Sequence, residues 1–263
     1  MSMIKLQYYY YYKPTKPCLL FLHGFMGSSS DWNIIYKYLL NDYSILLIDL
    51  PGHGLSINLP EYCYTFMNIS KQIIGIINKL NINILNIIAY SMGGRLILDL
   101  IFKSDIKINK IIFESVSFGI EDNNKRNKRV TQDKLLCDNI LNNDLGMFLN
   151  TWYNKSIWGY LNKSLDYDIL LTKRLLNNKK ELCKSLDNTG LGNQKSYWNE
   201  ICNLDKLLYI TGEYDIKYNN IANKLMKLNT KIKHINVHNT GHNVHFEEPE
   251  KYVKIIKQYL NEN

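Results

Sequence analysis

The sequence predicts an α/β fold, in which helices flank a mostly parallel sheet and a helical cap is inserted into the core. Short apolar runs alternate with segments of helical apolar spacing up to about residue 119, and again from about residue 199. Between residues 120 and 198 this alternation stops, and the chain becomes polar, helical in pattern and rich in Asn and Lys. We therefore assign residues 1–119 and 199–263 to the core and residues 120–198 to the cap.

The individual elements follow from this alternation. The tyrosine run Tyr8–Tyr12 predicts an edge strand or hairpin arm, because aromatic side chains suit strands and Pro14 and Pro17 end the run. Further strands are predicted at residues 18–22, 43–48, 84–90, 108–114, 206–211 and 232–237, and helices at 34–40, 65–80, 92–104, 219–228 and 248–260. Strands that alternate with helices require right-handed crossovers, which make the sheet mainly parallel.

Length and composition limit the class of protein. A chain of 263 residues can form one large α/β domain with an insertion. No apolar run reaches the roughly 18 residues that cross a bilayer, and Met1–Lys13 lacks a signal-peptide pattern, so we expect a cytoplasmic protein without membrane contact. The five cysteines are scattered and include no Cys-x-x-Cys pair, which indicates free thiols. The net charge of +8 follows a lysine excess along the whole chain and does not indicate nucleic acid.

A serine stands where a predicted strand breaks abruptly. The run from Ile87 ends at Ser91, and Gly93 and Gly94 follow at once before a helical pattern. This is the pattern of a nucleophile elbow, whose sharp turn needs very small neighbours. The first small residue of the pattern is Ala89 rather than Gly, which adds one methyl group. An ordinary tight turn is the alternative interpretation.

A second glycine-rich turn follows the predicted strand at residues 18–22. Its sequence runs from His23-Gly24-Phe25 to Asp31-Trp32 and then becomes helical. In sheet enzymes of this type such a loop brings a backbone N–H close to the serine, where it can bind a developing oxyanion. The alternative is a simple glycine loop before a helix.

Ser91, Asp215 and His242 occur in the order serine, acid, histidine, each just after a predicted parallel strand. The carboxyl ends of such strands form the ligand-binding edge of an open α/β sheet. A serine hydroxyl needs an imidazole to accept its proton and a carboxylate to orient that imidazole. The sequence also offers rival residues, namely Glu114 and Glu213 for the acid and His245 for the base, whereas the other histidines lie in glycine turns or the last strand. The loop position after Gly241 favours His242, and the place after the penultimate strand favours Asp215.

The predicted cap concentrates arginine and aromatic residues. They are Arg126, Arg129, Trp152, Tyr153, Trp158 and Arg174. Arginine can bind a carboxylate through two parallel hydrogen bonds, so this composition fits a lid over an anionic substrate. A solvated helical surface is the alternative.

These motifs together resemble the 2-succinyl-6-hydroxy-2,4-cyclohexadiene-1-carboxylate synthases of menaquinone (vitamin K2) biosynthesis, a family of the α/β-hydrolase superfamily. The resemblance extends over nearly the whole chain. Its most specific parts are Arg95 after the double glycine, the segment Gly212–Lys217 and the ending Gly241–His245. Ala89 and Phe118 depart from the family pattern, and we expect Phe118 to alter the shape of the pocket wall.

The resemblance implies a lyase that eliminates pyruvate without a metal or an organic cofactor. Ser91, oriented by His242 and Asp215, would act as a base, and the N–H groups of Phe25 and Met92 would hold the enolate. The implied substrate-binding residues are Tyr90, Arg95, Arg129, Trp152, Arg174 and Lys217. The partner would be a small substrate with several carboxylates, bound by a monomer or small homo-oligomer.

Two other functions remain open on the sequence. A serine hydrolase, either an esterase or a carbon–carbon bond hydrolase, would use the same triad. A non-catalytic binding protein of the same fold would have no need of an intact triad.

Overall fold

A computed structural model describes residues 5–164 and 166–262, so residues 1–4, 165 and 263 of the predicted core and cap lie outside the described part. Its strands form one seven-stranded sheet in the order β1-β3-β2-β4-β5-β6-β7. The strands are β1 Tyr8–Tyr11, β2 Cys18–Leu22, β3 Ser44–Ile48, β4 Leu85–Tyr90, β5 Ile108–Glu114, β6 Leu207–Gly212 and β7 Lys233–Val237. Only β1 pairs antiparallel, at the edge beside β3, and the other neighbours are parallel. The predicted sheet and the predicted edge strand are confirmed.

The helices are α1 Asn33–Tyr36, α2 Phe66–Lys79, α3 Met92–Leu96, α4 Leu98–Lys103, α5 Asn123–Asn142, α6 Leu145–Tyr153, α7 Tyr167–Leu175, α8 Lys179–Thr189, α9 Ile216–Leu228, α10 Val244–Glu247 and α11 Pro249–Asn261. The helix predicted at residues 92–104 is wrong in one respect, because Ile97, with φ −93° and ψ −5°, separates α3 from α4. The helix predicted from residue 219 begins already at Ile216, directly after Asp215.

The central strands are buried on both faces, as parallel strands covered by helices must be. In β2, Leu20 and Leu22 belong to one apolar cluster, whereas Leu19 and Phe21 belong to the other. This period of two places α2 against the first face and α11 against the second. Each buried Leu, Ile or Phe contributes roughly 1.5–3 kcal/mol, so the two layers hold the strand ends, and the loops that follow them, in fixed positions.

The predicted cap region contains α5–α8, whose buried side chains form a third apolar cluster. Met26 and Phe246 of the core join this cluster, which ties the cap region to two loops at the carboxyl ends of the strands. The boundaries at residues 120 and 198 stay a prediction. No helix in the described ranges is long and apolar enough to cross a membrane.

Candidate active site

Ser91 lies in a strained turn between β4 and α3. Its φ of 46° and ψ of −105° are unusual for a residue with a side chain. The turn depends on the two glycines that follow, because a Cβ on Gly93 would lie 2.7 Å from the carbonyl oxygen of His23 and one on Gly94 would lie 2.2 Å from Val116. The strand and the packing therefore hold the serine hydroxyl above the sheet.

The structure brings Ser91, His242 and Asp215 into one hydrogen-bonded chain. His242 Nε2 lies 3.0 Å from Ser91 Oγ, and His242 Nδ1 lies 2.6 Å from Asp215 Oδ2. Asp215 is fully buried, and its Oδ2 also accepts a hydrogen bond of 2.7 Å from Ser115 Oγ. This arrangement can move the serine proton to the imidazole while the carboxylate stabilises the imidazolium.

The rival residues are engaged elsewhere. Glu114 accepts from His245 through the ring Nδ1 at 2.7 Å and through the backbone N–H at 3.2 Å. His245 also stacks on Trp32 with ring centroids 4.2 Å apart. The buried pair of Glu114 and His245 therefore helps to hold the loop after β7 in place. Glu213 accepts the backbone N–H of Asn239 at the surface.

The predicted oxyanion donors, Phe25 and Met92, lie in the cavity wall beside Ser91. Among the described residues, no backbone acceptor takes the N–H of either residue. Gly24 is required in this loop because a Cβ there would lie 2.5 Å from the ring of Tyr90. The two N–H groups are therefore available to a ligand oxygen.

A cavity of about 250 Å³ opens above Ser91, between the sheet edge and the cap region. Nine of the eleven predicted site residues line this cavity, namely Phe25, Tyr90, Ser91, Met92, Arg95, Arg129, Trp152, Lys217 and His242. Asp215 lies behind His242. The indole nitrogens of Trp152 and Trp158, which also line the cavity, are buried without a partner among the described residues.

Arg95 and Arg129 keep donors free for a ligand. Arg95 is 8% exposed, and in the described residues only its Nη1 is used, at 2.9 Å from the carbonyl oxygen of Thr189. Burial lowers the pKa of Arg95 to about 10, which leaves the guanidinium charged at neutral pH. Arg129 pairs through Nε with Asp133 at 2.8 Å, one helical turn further along α5.

Arg174 does not line the cavity, which corrects the role implied for it by the resemblance. Its Nη1 and Nη2 lie 2.9 and 2.7 Å from the two carboxylate oxygens of Asp31, and its Nε donates to Tyr153 at 3.2 Å. Burial alone would raise the pKa of Asp31, but the charge and hydrogen bonds of Arg174 outweigh burial and lower it. Each of the three side-chain nitrogens of Arg174 has a protein partner. The residue therefore connects the predicted cap region to the core loop that carries Asp31.

Sequence reasoning missed three residues at the site. Ser115, on the loop after β5, supports Asp215, while Lys155 and Tyr218 line the cavity beside Trp158, which the sequence had grouped with the cap aromatics. Lys155 lies over the ring of Trp152, with its Nζ 4.3 Å from the ring centroid. A cation three residues after a predicted site residue was the available signal for it.

The two departures from the family pattern are both accommodated in the core. Ala89 is fully buried in the sheet and does not disturb the turn at Ser91. Phe118 is also fully buried, and it packs against Phe113 and Trp198 rather than lining the cavity. The expectation that Phe118 shapes the pocket wall is therefore wrong, because the side chain points into the apolar cluster.

The described residues contain no group of three or more His, Cys, Asp or Glu side chains arranged to hold a metal ion. The site is defined instead by a strained serine, an imidazole, a buried carboxylate and free cationic groups. Residues 17–249 match the α/β-hydrolase fold family. The chain belongs to this family.

Individual relatives show a more specific similarity than the family match does. The chain is 30% identical over 249 residues to the 2-succinyl-6-hydroxy-2,4-cyclohexadiene-1-carboxylate synthase of Enterobacter sp. (strain 638), covering 94% of this chain and 93% of that protein. A Bacillus subtilis (strain 168) protein that carries the same name in provisional form is 31% identical over 246 residues, which cover 91% of this chain and 88% of the relative. The solved structure of MenH from S. aureus superposes with a TM-score of 0.89 at 26% identity, covering 96% of this chain and 97% of that chain.

Proposed function

We propose that this protein is a lyase that eliminates pyruvate from 2-succinyl-5-enolpyruvyl-6-hydroxy-3-cyclohexene-1-carboxylate and gives 2-succinyl-6-hydroxy-2,4-cyclohexadiene-1-carboxylate, a step of menaquinone biosynthesis. The observation that carries the proposal is the composition of the cavity, in which Arg95, Arg129 and Lys217 share a space of about 250 Å³ with Ser91 and His242. The similarity to synthases of that name supports the same reaction.

The cations favour this substrate because it carries three carboxylates. Charge-assisted hydrogen bonds from arginine to carboxylate are roughly twice as strong as neutral ones. A neutral ester would leave buried cationic groups such as Arg95 without a counter-charge, which is costly in a partly dry cavity. The unpartnered indole N–H groups of Trp152 and Trp158 offer two more donors to an oxygen-rich ligand.

In the proposed reaction Ser91 acts as the base. Its hydroxyl gives its proton to His242 and its oxygen takes the ring proton next to the succinyl ketone. The electron pair of that C–H bond first forms the enolate of the ketone. As the enolate collapses, a new ring double bond forms, the existing double bond shifts by one position, and the C–O bond to the enolpyruvyl group breaks. Enolpyruvate leaves and becomes pyruvate on gaining a proton, and the imidazolium of His242 gives up the proton that it took from Ser91. In the enolate the ketone oxygen is negative, and it would accept hydrogen bonds from the backbone N–H groups of Phe25 and Met92.

Hydrolysis is the second candidate, because the distance of 3.0 Å between Ser91 Oγ and His242 Nε2 suits a nucleophile as well as a base. In that reaction Ser91 would form an acyl-enzyme with an ester or ketone substrate.

One experiment separates the two. The purified protein is given the enolpyruvyl substrate, and pyruvate is followed with a coupled dehydrogenase, while a chromogenic short-chain ester is tested in parallel. Mass spectrometry of protein quenched during each reaction reports any covalent adduct on Ser91. We expect rapid pyruvate release without an adduct. Fast ester turnover with an acyl adduct and no pyruvate would establish the hydrolase instead.

A further inference from the structure

A second, wider cavity of about 630 Å³ lies next to the one above Ser91. The two cavities share Arg129, Leu191 and Lys217 in their walls, so they are adjacent and two cationic side chains lie between them. We call the wider one the outer cavity. It lies between the start of α5, the loop after β5 and the start of α9.

The inner cavity is small for the proposed substrate. Pockets for drug-sized ligands usually measure about 300–1,000 Å³, whereas the inner cavity has about 250 Å³. A ring that carries three carboxylate arms therefore extends beyond the inner cavity when its reacting carbon lies at Ser91. The outer cavity, on the other side of Arg129 and Lys217, is the adjacent space for such an arm.

Cationic side chains dominate the outer cavity. Lys125, Lys128, Arg129 and Lys217 line it, together with the acids Glu121 and Asp122. Both acids are engaged, because Glu121 pairs with Lys224 and Asp122 accepts the backbone N–H of Lys125 at 2.7 Å. Within the described residues, no ion pair involves Lys125, Lys128 or Lys217.

The spacing along α5 explains why these side chains converge. Lys125, Lys128, Arg129 and Gln132 follow the i, i+3, i+4, i+7 pattern of one helix face, and all four line the outer cavity. Trp198 also lines the outer cavity, with the Lys224 Nζ 3.8 Å from its ring centroid. The outer cavity therefore combines a cationic helix face with apolar side chains, next to Arg129 and Lys217.

We propose that the outer cavity is a carboxylate-binding subsite, in which Lys125 and Lys128 hold the substrate carboxylate farthest from the reacting ring carbon. This inference rests on the proposed function for its substrate, but the subsite itself would take any small polycarboxylate of suitable reach. The lysines bind and orient the anion and take no part in proton transfer.

Two measurements test the subsite with the full-length protein. The first is the KM for the enolpyruvyl substrate in Lys125→Gln, Lys128→Gln and the double variant. We expect each single change to raise KM about 2- to 5-fold and the double change roughly 5- to 20-fold, which is the range for exposed charge pairs. Both effects shrink as salt screens the charges.

The second measurement does not depend on turnover. Citrate is titrated at constant ionic strength while tryptophan fluorescence is followed, because Trp198 lines the outer cavity and Trp152 the inner one. We expect citrate to bind the unchanged protein and to bind the double variant at least about 5-fold more weakly.

The matched control is Lys134→Gln with Lys251→Gln, which removes the same charge. Lys134 is an exposed residue of α5 that lines neither cavity, and Lys251 is exposed on α11. The control should leave both KM and citrate affinity unchanged. Equal citrate affinity in the unchanged protein and the Lys125/Lys128 double variant, or no citrate binding at all, would overturn the subsite. Absence of pyruvate release with intact lysine-dependent citrate binding would overturn the proposed reaction alone.

Discussion

Ser91 has a strained backbone conformation, and its hydroxyl lies within hydrogen-bond distance of His242. Its φ of 46° is kept because the packing around Gly93 and Gly94 determines the backbone path. This turn places the hydroxyl 3.0 Å from His242 Nε2, and the cavity above it is lined by Arg95, Arg129 and Lys217.

Ser91→Ala should lower kcat for pyruvate release about 10²- to 10⁴-fold, because the change removes the proposed base. The pyruvate assay measures the loss, and thermal unfolding followed by circular dichroism should show no loss of stability. A variant that keeps more than one tenth of the activity would mean that His242 removes the ring proton directly.

Arg95→Gln should raise KM for the enolpyruvyl substrate roughly 10- to 100-fold with a smaller change in kcat, because hydrogen bonds to charged groups contribute about 1.5–3 kcal/mol. Gln retains a donor for the carbonyl oxygen of Thr189, which Arg95 now contacts at 2.9 Å. Any weak ester hydrolysis should persist. Equal losses of both activities, with a lowered melting temperature, would assign Arg95 to folding.

At the scale of elements, α7 and the turn that follows it hold the loop that carries Phe25. Lys173 donates to the carbonyl oxygen of Ser30 at 3.2 Å, and Asn177 donates to that of Met26 at 2.9 Å. The buried pair of Arg174 and Asp31 adds a third contact to the same loop. These three contacts therefore fix the loop of one of the two proposed oxyanion donors.

Asp31→Asn or Arg174→Gln alone should destabilise the protein by about 3–5 kcal/mol, because each leaves a buried group of the pair without its partner. The double variant should recover part of that loss, which a double-mutant cycle of chemical unfolding would measure. The single variants should also lower kcat as the loop loosens. If Arg174→Gln raised KM only and left stability intact, Arg174 would be a substrate ligand after all.

At the scale of the whole molecule, the pH dependence of stability reports on the loop that carries His242. Glu247 accepts the backbone N–H of Gly241 at 2.9 Å. Burial, together with the nearby carboxylates Glu114 and Glu248, raises the pKa of Glu247 from 4.5 to about 8 despite its hydrogen bonds. The unfolded chain loses this proton near pH 4.5 and the folded chain near pH 8, so the stability contributed by Glu247 is lost as pH rises through that window.

Glu247→Gln should remove this loss, since the amide oxygen still accepts the N–H of Gly241 but carries no charge. The melting temperatures of the unchanged protein and the variant should vary in parallel below pH 4.5 and diverge between pH 4.5 and pH 8. Each kcal/mol of difference in the free energy of unfolding corresponds to about 2–4 °C. Parallel curves across this range would mean that Glu247 ionises in the folded protein at its ordinary pKa.

Local chemistry explains why most of the fold was predictable. Short continuous apolar runs and apolar spacing of period 3.6 are properties of consecutive residues, so β2, β4, β5 and α2 were recognisable. The break at Ile97 and the early start of α9 were missed, because helix ends depend on contacts made by residues distant in sequence.

The sequence by itself determined the elbow at Ser91 and the order of serine, acid and histidine, because a turn and a strand end are set by neighbouring residues. The place of Asp215 after the penultimate strand already favoured it over Glu114, and the structure puts its carboxylate 2.6 Å from His242. Only the tertiary structure decided that Arg174 meets Asp31 rather than the cavity. Arg174 and Asp31 are 143 residues apart in sequence. A charge takes whichever partner the packed chain brings within hydrogen-bond distance, and that distance is a property of the folded chain.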